Sequence, residues 1–225
     1  MSAGGTAVTQ LDAAVEFATN PEPRCACVLL LDTSGSMAGR PVEALNEGLA
    51  AFARDLGGDA LARQRVEVSI VTFGGEVEVV QDFVTAGQYE ATRLQAGGGT
   101  PMGAGIEKAL DLIEARKAEY RTNGIVYYRP WVFMITDGAP TDEWKAAATR
   151  IRETEEASGV AFFAVGVDGA DIGVLEELSV RAPLRLQGLK FVELFVWLSQ
   201  SQRSVSTSKP GDQTALPAVD GWAVV

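Results

Sequence analysis

One carboxylate and two hydroxyls alternate along Asp32-Thr33-Ser34-Gly35-Ser36-Met37, at the exit of the apolar run Val28-Leu29-Leu30-Leu31. Oxygens at Asp32, Ser34 and Ser36, with Gly35 permitting the turn, make a hard-cation site on a loop. Two distant segments carry the same chemistry. Gly97-Gly98-Gly99-Thr100-Pro101-Met102-Gly103 puts one hydroxyl in a glycine-rich loop ahead of an amphipathic helix, and Trp131-Val132-Phe133-Met134-Ile135-Thr136-Asp137-Gly138 ends a second apolar run in a carboxylate. Two carboxylates and three hydroxyls, in a chain without histidine, suit magnesium, with manganese and calcium as the alternatives.

The elements that must position these oxygens follow from hydrophobic spacing. A short apolar run with a β-branched start reads as a buried strand of a parallel sheet, and such sheets carry ligands at the carboxyl ends of their strands. Pro41 opens a helix in which Val42, Leu45, Leu49 and Phe52 recur at helical spacing. Residues 65–73 alternate as a strand, and Gly74-Gly75 turns them into a hairpin with Val77–Val80. The Gly97 loop feeds a helix through Ile106, Leu110 and Ile113. Strand 131–136, a helix from Asp142 to Ala157, strand 160–167, a short helix near Leu175 and a last helix from Leu189 to Leu198 continue the alternation. The expectation is an α/β doubly wound, mostly parallel sheet with one antiparallel edge strand and helices on both faces.

The length of 225 residues and a hydrophobic fraction of 47% are enough for one such domain. Residues 1–23 read as an N-terminal lead-in, with a short β segment near Val15-Glu16-Phe17, and residues 201–225 as a Ser/Thr/Gln-rich tail. Whether that tail docks is left open by its composition, although Trp222 favours burial. The start of the chain has neither the basic residues nor the apolar core of a signal peptide, and no apolar run approaches the ~18 residues of a membrane helix, so a soluble cytoplasmic protein is expected. Cys25 and Cys27 read as reduced core thiols. A net charge of −11 without a lysine or arginine cluster excludes nucleic acid as a partner.

Asp-x-Ser-x-Ser, a distant Thr in a Gly-rich loop and a later Thr-Asp-Gly resemble the metal-ion-dependent adhesion site (MIDAS) of von Willebrand factor type A domains. Residue by residue, Asp32, Ser34 and Ser36 match the first motif, Thr100 the second and Asp137 the third. The resemblance covers roughly residues 24–200 and implies a Rossmann-like fold. It also implies a magnesium-binding module in which the two serines contact the ion directly, while Thr100 and Asp137 exchange between direct and water-bridged contact. A carboxylate of a partner protein would fill the open position, with Met37, Gly99 and Thr100 beside it. The phrases 20–25, 127–131 and 195–199 look like the bacterial intracellular TerY/YegL branch. That branch implies a stress or tellurite-resistance setting and a kinase or PPM-type phosphatase of the same gene cluster as partner. Nothing in this reading calls for catalysis or for a membrane.

The enzymatic alternative is a magnesium-dependent haloacid-dehalogenase-like phosphatase, with Asp32 as nucleophile and Asp137 and Asp142 as a later acidic pair. That chemistry needs a second acid two residues after the nucleophile. Ser34 occupies the position, and a serine hydroxyl cannot supply the proton. A serine hydrolase fails for want of any histidine base. A third reading, an ion that only ties three loops together, differs from the adhesion type in having its last coordination position closed.

Overall fold

Cys25–Asp32 forms β1, and every one of its residues is buried. Burial on both faces explains why the strand reads as an unbroken apolar run: Cys25, Cys27, Leu29 and Leu31 face one core layer, and Ala26, Val28 and Leu30 face the other. The structure is a computed structural model and describes residues 14–219 and 221–224. The remaining strands are β2 (Val66–Gly74), β3 (Glu76–Thr85), β4 (Trp131–Thr136), β5 (Ala161–Gly166), β6 (Leu184–Leu186) and β7 (Ala223–Val224). They make one sheet in the order β3-β2-β1-β4-β5-β6-β7, with β2, β1, β4, β5 and β6 parallel. The helices are α1 (Arg40–Gly57), α2 (Ala62–Arg65), α3 (Met102–Thr122), α4 (Lys145–Glu156), α5 (Ile172–Leu178) and α6 (Phe191–Thr207).

The doubly wound architecture is as expected, with β3 as the antiparallel edge of the hairpin. A second antiparallel edge is added by β7, which pairs with β6. Three residues of β6 and two of β7 are too few to show a period in sequence. β7 is held by its flank: Gln187 N donates to Trp222 O (2.8 Å), Trp197 and Trp222 rings pack at 5.3 Å, and the Trp197 indole donates to Pro217 O (2.8 Å). The last helix also runs to Thr207 rather than Leu198, so a tail boundary at 201 falls inside α6. Ser199 and Ser201 return their hydroxyls to the carbonyls of Val196 and Trp197, which lets serine sit in a buried helix face. Gln202, also buried, accepts a bond from the Cys25 thiol at 3.0 Å.

The β segment expected near Val15 is instead helical over residues 14–19, and residues 1–13 lie outside the described chain. The cause is a buried charge cluster at the base of the sheet. Glu67 of β2 is fully buried and accepts from Arg24 Nε (2.7 Å), from Arg116 Nε (2.8 Å) and from the Tyr120 hydroxyl. Arg116 also reaches Glu16 at 2.6 Å and covers the Phe17 ring at 4.9 Å. One helical turn brings Glu16 and Phe17 onto Arg116 together.

Cys25 and Cys27 are free and buried, and burial pushes the Cys25 thiol up to about 12. Among the described residues no helix is long and apolar enough to cross a membrane.

Replacing Glu67 by Gln leaves the buried Arg24 guanidinium without its counter-charge and removes one of the three carboxylates around Arg116. Breaking such a pair costs about 3–5 kcal/mol. Urea unfolding of Glu67→Gln should show a loss of that order, and a loss below about 1 kcal/mol, the worth of an exposed pair, would contradict the assigned burial.

Candidate metal centre

The sheet reverses its winding between β1 and β4: from β1 the chain crosses to β2 on one side, and from β4 it crosses to β5 on the other. A crevice opens where the carboxyl ends of two such strands diverge. β1 ends there in Asp32 and β4 in Thr136, followed by Asp137. The β1–β4 register pairs Leu31 with Ile135, so Asp32 and Thr136 come next to each other.

Asp32 is fully buried and held on both oxygens. Ser34 N donates to Oδ1 at 2.8 Å, and the Thr136 hydroxyl donates to Oδ2 at 2.5 Å. Gly35–Met37 forms one 3-10 turn, which brings the Ser34 and Ser36 hydroxyls to 3.0 Å of each other. The Ser36 hydroxyl donates to Asp137 Oδ1 at 2.7 Å. Thr100 joins from the third loop. A Cβ built on Gly138, next to Asp137, would lie 3.3 Å from Thr100 Oγ1, 3.7 Å from Ser36 Oγ and 3.8 Å from Asp32 Oδ2, so oxygens of the first two segments surround a point on the third. Asp32, Ser34, Ser36, Thr100 and Asp137 are therefore brought together.

Two carboxylates in one crevice repel. Burial raises the Asp32 carboxyl above its ordinary range, hydrogen bonds from Ser34 and Thr136 pull it back, and Asp137 adds to the rise. The ion pairs of the described residues lie elsewhere, so neither carboxylate has a Lys or Arg against it. Among the described residues no three His, Cys, Asp or Glu side chains gather as metal ligands, which makes the hydroxyls necessary parts of any cation site. Ser36 and Gly99 are exposed, and they form the mouth above the buried Asp32.

The loop carrying Thr100 is clamped through its backbone. Gly35 N donates to Gly98 O (2.9 Å), Gly97 N to Thr33 O (2.8 Å) and Gly75 N to Gly99 O (2.8 Å). Gly98 has φ +76°, and a Cβ on it would lie 2.5 Å from Gly75 Cα, so the steric demand for glycine falls here rather than on Gly99. Thr100 and Thr141 exchange bonds, Thr100 N to Thr141 Oγ1 (3.0 Å) and Thr141 N to Thr100 O (2.9 Å).

Three residues take roles that the spacing of the sequence does not reveal. Thr136 orients Asp32, a role visible only once the β1–β4 register is known. Thr141 holds the Thr100 backbone. Asp142 neither pairs with Asp137 nor starts α4; its carboxylate accepts from Gly103 N (3.0 Å) and Ala104 N (2.9 Å) and so caps α3, the helix that begins just after Thr100. Met37, expected beside a partner, is fully buried in the core under the 3-10 turn, because its long apolar side chain fills the space beneath the loop. It supports the site from below and has no surface to offer.

The von Willebrand factor type A domain profile matches residues 27–185. The chain belongs to that family. A stretch of 121 residues, 51% of the chain, is 30% identical to inter-alpha-trypsin inhibitor heavy chain H4 of Sus scrofa and spans 12% of that protein. Among solved structures, the pilus adhesin SpaC of Lactobacillus rhamnosus GG superposes with a TM-score of 0.65 at 16% identity, over 82% of this chain and 30% of the adhesin. Proximal thread matrix protein 1 of the mussel byssus, described with a zinc-occupied MIDAS motif, superposes with a TM-score of 0.58 at 16% identity, over 81% of this chain and 48% of that one. At these identities the superpositions establish the shared fold. The chain spans less than half of the length of each of these relatives.

Gly98→Ala should destabilise the protein by about 1–3 kcal/mol, since it forces a strained backbone angle against Gly75, while Gly99→Ala should cost much less; equal losses in thermal melts would place the constraint elsewhere. The direction of the Asp32 shift makes a second expectation. A carboxyl raised in the folded state costs stability once it ionises, so the cost is absent below the ordinary aspartate value of 3.8 and grows as pH rises through the raised value. In chelator at neutral pH, Asp32→Asn should melt above the parent protein, and the gap should close on acidification towards pH 3.8. A variant that melts below the parent at neutral pH would contradict this.

Proposed function

We propose that the crevice binds a divalent cation, magnesium in first place and manganese or calcium as alternatives, through Asp32, Ser34, Ser36, Thr100 and Asp137. The observation that carries the reading is that oxygens of Asp32, Ser36 and Thr100 lie around one point at the crevice, with Ser34 and the Asp137 carboxylate hydrogen-bonded to Ser36 and neither carboxylate paired with a cation. The donor set fits a hard ion: all ligands are oxygen, and no histidine exists in the chain to favour a softer one. The mussel relative described with zinc in its MIDAS motif supports a metal on this fold. When bound, the ion would supply a positive charge that meets both carboxylates and leaves a coordination position towards the exposed mouth.

We read the protein as a binding module rather than a catalyst. Through the ion it would engage an acidic side chain of a partner protein, with Gly99 and Thr100 at the contact. The chain's net charge of −11 opposes an acidic partner at long range, so the carboxylate that docks should be surrounded by basic groups. Ser34 at the position where a dehalogenase-type phosphatase needs its acid weighs against the enzymatic alternative. Two buried free thiols support a reducing, cytoplasmic setting. The TerY/YegL branch, its stress or tellurite-resistance setting and a kinase or PPM-type phosphatase as partner rest on the phrases 20–25, 127–131 and 195–199 alone.

Calorimetry tests the metal reading. Asp32→Ala and Asp137→Ala should each abolish measurable magnesium or manganese binding with the fold intact by circular dichroism, whereas Ser34→Ala and Ser36→Ala should weaken it less, because water can replace a neutral oxygen. Unchanged affinity in Asp32→Ala would sink the site. Thr100→Ala should reduce chelator-sensitive partner capture more than metal affinity. Turnover of a phosphate monoester that disappears in Asp32→Asn would instead favour the phosphatase.

A further inference from the structure

A second concavity, of about 840 Å³, lies at the opposite pole of the sheet, where β4 and β5 begin. The length of β4 separates it from the metal crevice, roughly 20 Å at ~3.3 Å per residue. Trp131, Phe163 and Tyr127 line it, together with Gly211–Thr214 and Leu216. Four cationic side chains also line it, Lys117, Arg121, Arg129 and Arg181, against a single acid, Asp212. The chain as a whole has 30 acidic residues to 19 basic ones, so this wall inverts the charge of the molecule around it.

Two of these four charges are answered within the fold, by Glu114 and Glu155. Lys117 pairs with Glu114. Arg129 and Arg181 share one carboxylate oxygen, Glu155 Oε1, which Arg181 contacts directly, from which Arg129 stands 3.7 Å away, and which also accepts from Phe162 N. One buried anion therefore serves two guanidiniums. Burial lowers the pKa of both arginines, and the charge of Arg129 lowers that of Arg181 further. Arg121 is exposed, and its side-chain partner is the neutral Tyr127 hydroxyl at 3.3 Å. The Arg181 guanidinium lies over the Phe163 ring, 5.1 Å from its centre, so this aromatic face holds the cation in place.

We propose that this cavity binds a small phosphate ester with a planar ring, the chemistry of a mononucleotide. Glu114, Glu155 and Asp212 leave this wall one net positive charge, which favours an anion, and guanidinium forks match phosphate oxygens. The volume lies within the ~300–1,000 Å³ of small-molecule sites and far exceeds what a lone phosphate fills. The half-buried Tyr127 ring supplies a surface for the planar ring, and the exposed Arg121 lines the same cavity.

The test is calorimetry on the full chain in EDTA, which keeps the cation crevice out of the measurement and separates this proposal from the metal-dependent reading. AMP, GMP, CMP and UMP are titrated separately, with adenosine and inorganic phosphate as the two halves of the ligand. At least one mononucleotide should bind saturably with one-to-one stoichiometry, and each half alone at least tenfold more weakly. Arg121→Glu, a change at an exposed position, should weaken binding at least fivefold, and Lys108→Glu, the same charge change on an exposed face of α3 outside the cavity, should not. Saturable binding of none of the four would overturn the proposal. So would equal binding of inorganic phosphate, or equal losses in the two variants, since either outcome means attraction by general charge rather than by this cavity.

Discussion

A carboxylate buried at the end of a central strand is costly in water-free surroundings unless its charge is met, and here Asp32 is met only by neutral donors. The fold accepts that cost and adds a second carboxylate, Asp137, in the same crevice, where it accepts from the Ser36 hydroxyl. The rest of the crevice can be understood from this constraint. Backbone clamps at Gly35, Gly75 and Gly97 fix loops that carboxylate repulsion would otherwise drive apart, and the reciprocal bonds of Thr100 and Thr141 fix the third wall. Such rigidity precedes the ligand: the oxygens are already gathered, so a cation would meet a site whose ordering cost was met on folding.

The opposite pole solves the complementary problem. Glu67 is buried as deeply as Asp32, but two arginines and a tyrosine hydroxyl surround it within the protein. One buried acid is neutralised by its own chain and the other is not. The same asymmetry, with the sign reversed, marks the cavity beside β4 and β5, where guanidiniums outnumber the acids that face them.

Legibility in the sequence followed the range of the interaction. Asp32, Ser34, Ser36, Thr100 and Asp137 lie in local patterns whose spacing carries the chemistry, and the runs of β1, β2 and β4 are long enough to show their burial. Elements fixed by distant partners were not readable. The polar residues of α6 look like a tail until Cys25 and the backbone of the same helix are seen to satisfy them, and residues 14–19 become a helix because Arg116, about a hundred positions later, requires Glu16 and Phe17 on one turn. Asp142 reads as the start of its own helix and instead caps α3. Met37 reads as a contact residue because exposure depends on what lies beneath a loop, which spacing does not encode.

The central claim is that the five oxygens form a cation site with one face open. A crystal structure of the protein grown in manganese, with data collected for anomalous scattering, tests it most directly. The account predicts one strong anomalous peak within coordination distance of Ser34 and Ser36, near Asp32, Thr100 and Asp137, with at least one ligand on the exposed side that is water or a carboxylate from outside the chain. Absence of a peak in that crevice at saturating manganese, or a peak whose ligands all come from this chain, would contradict it.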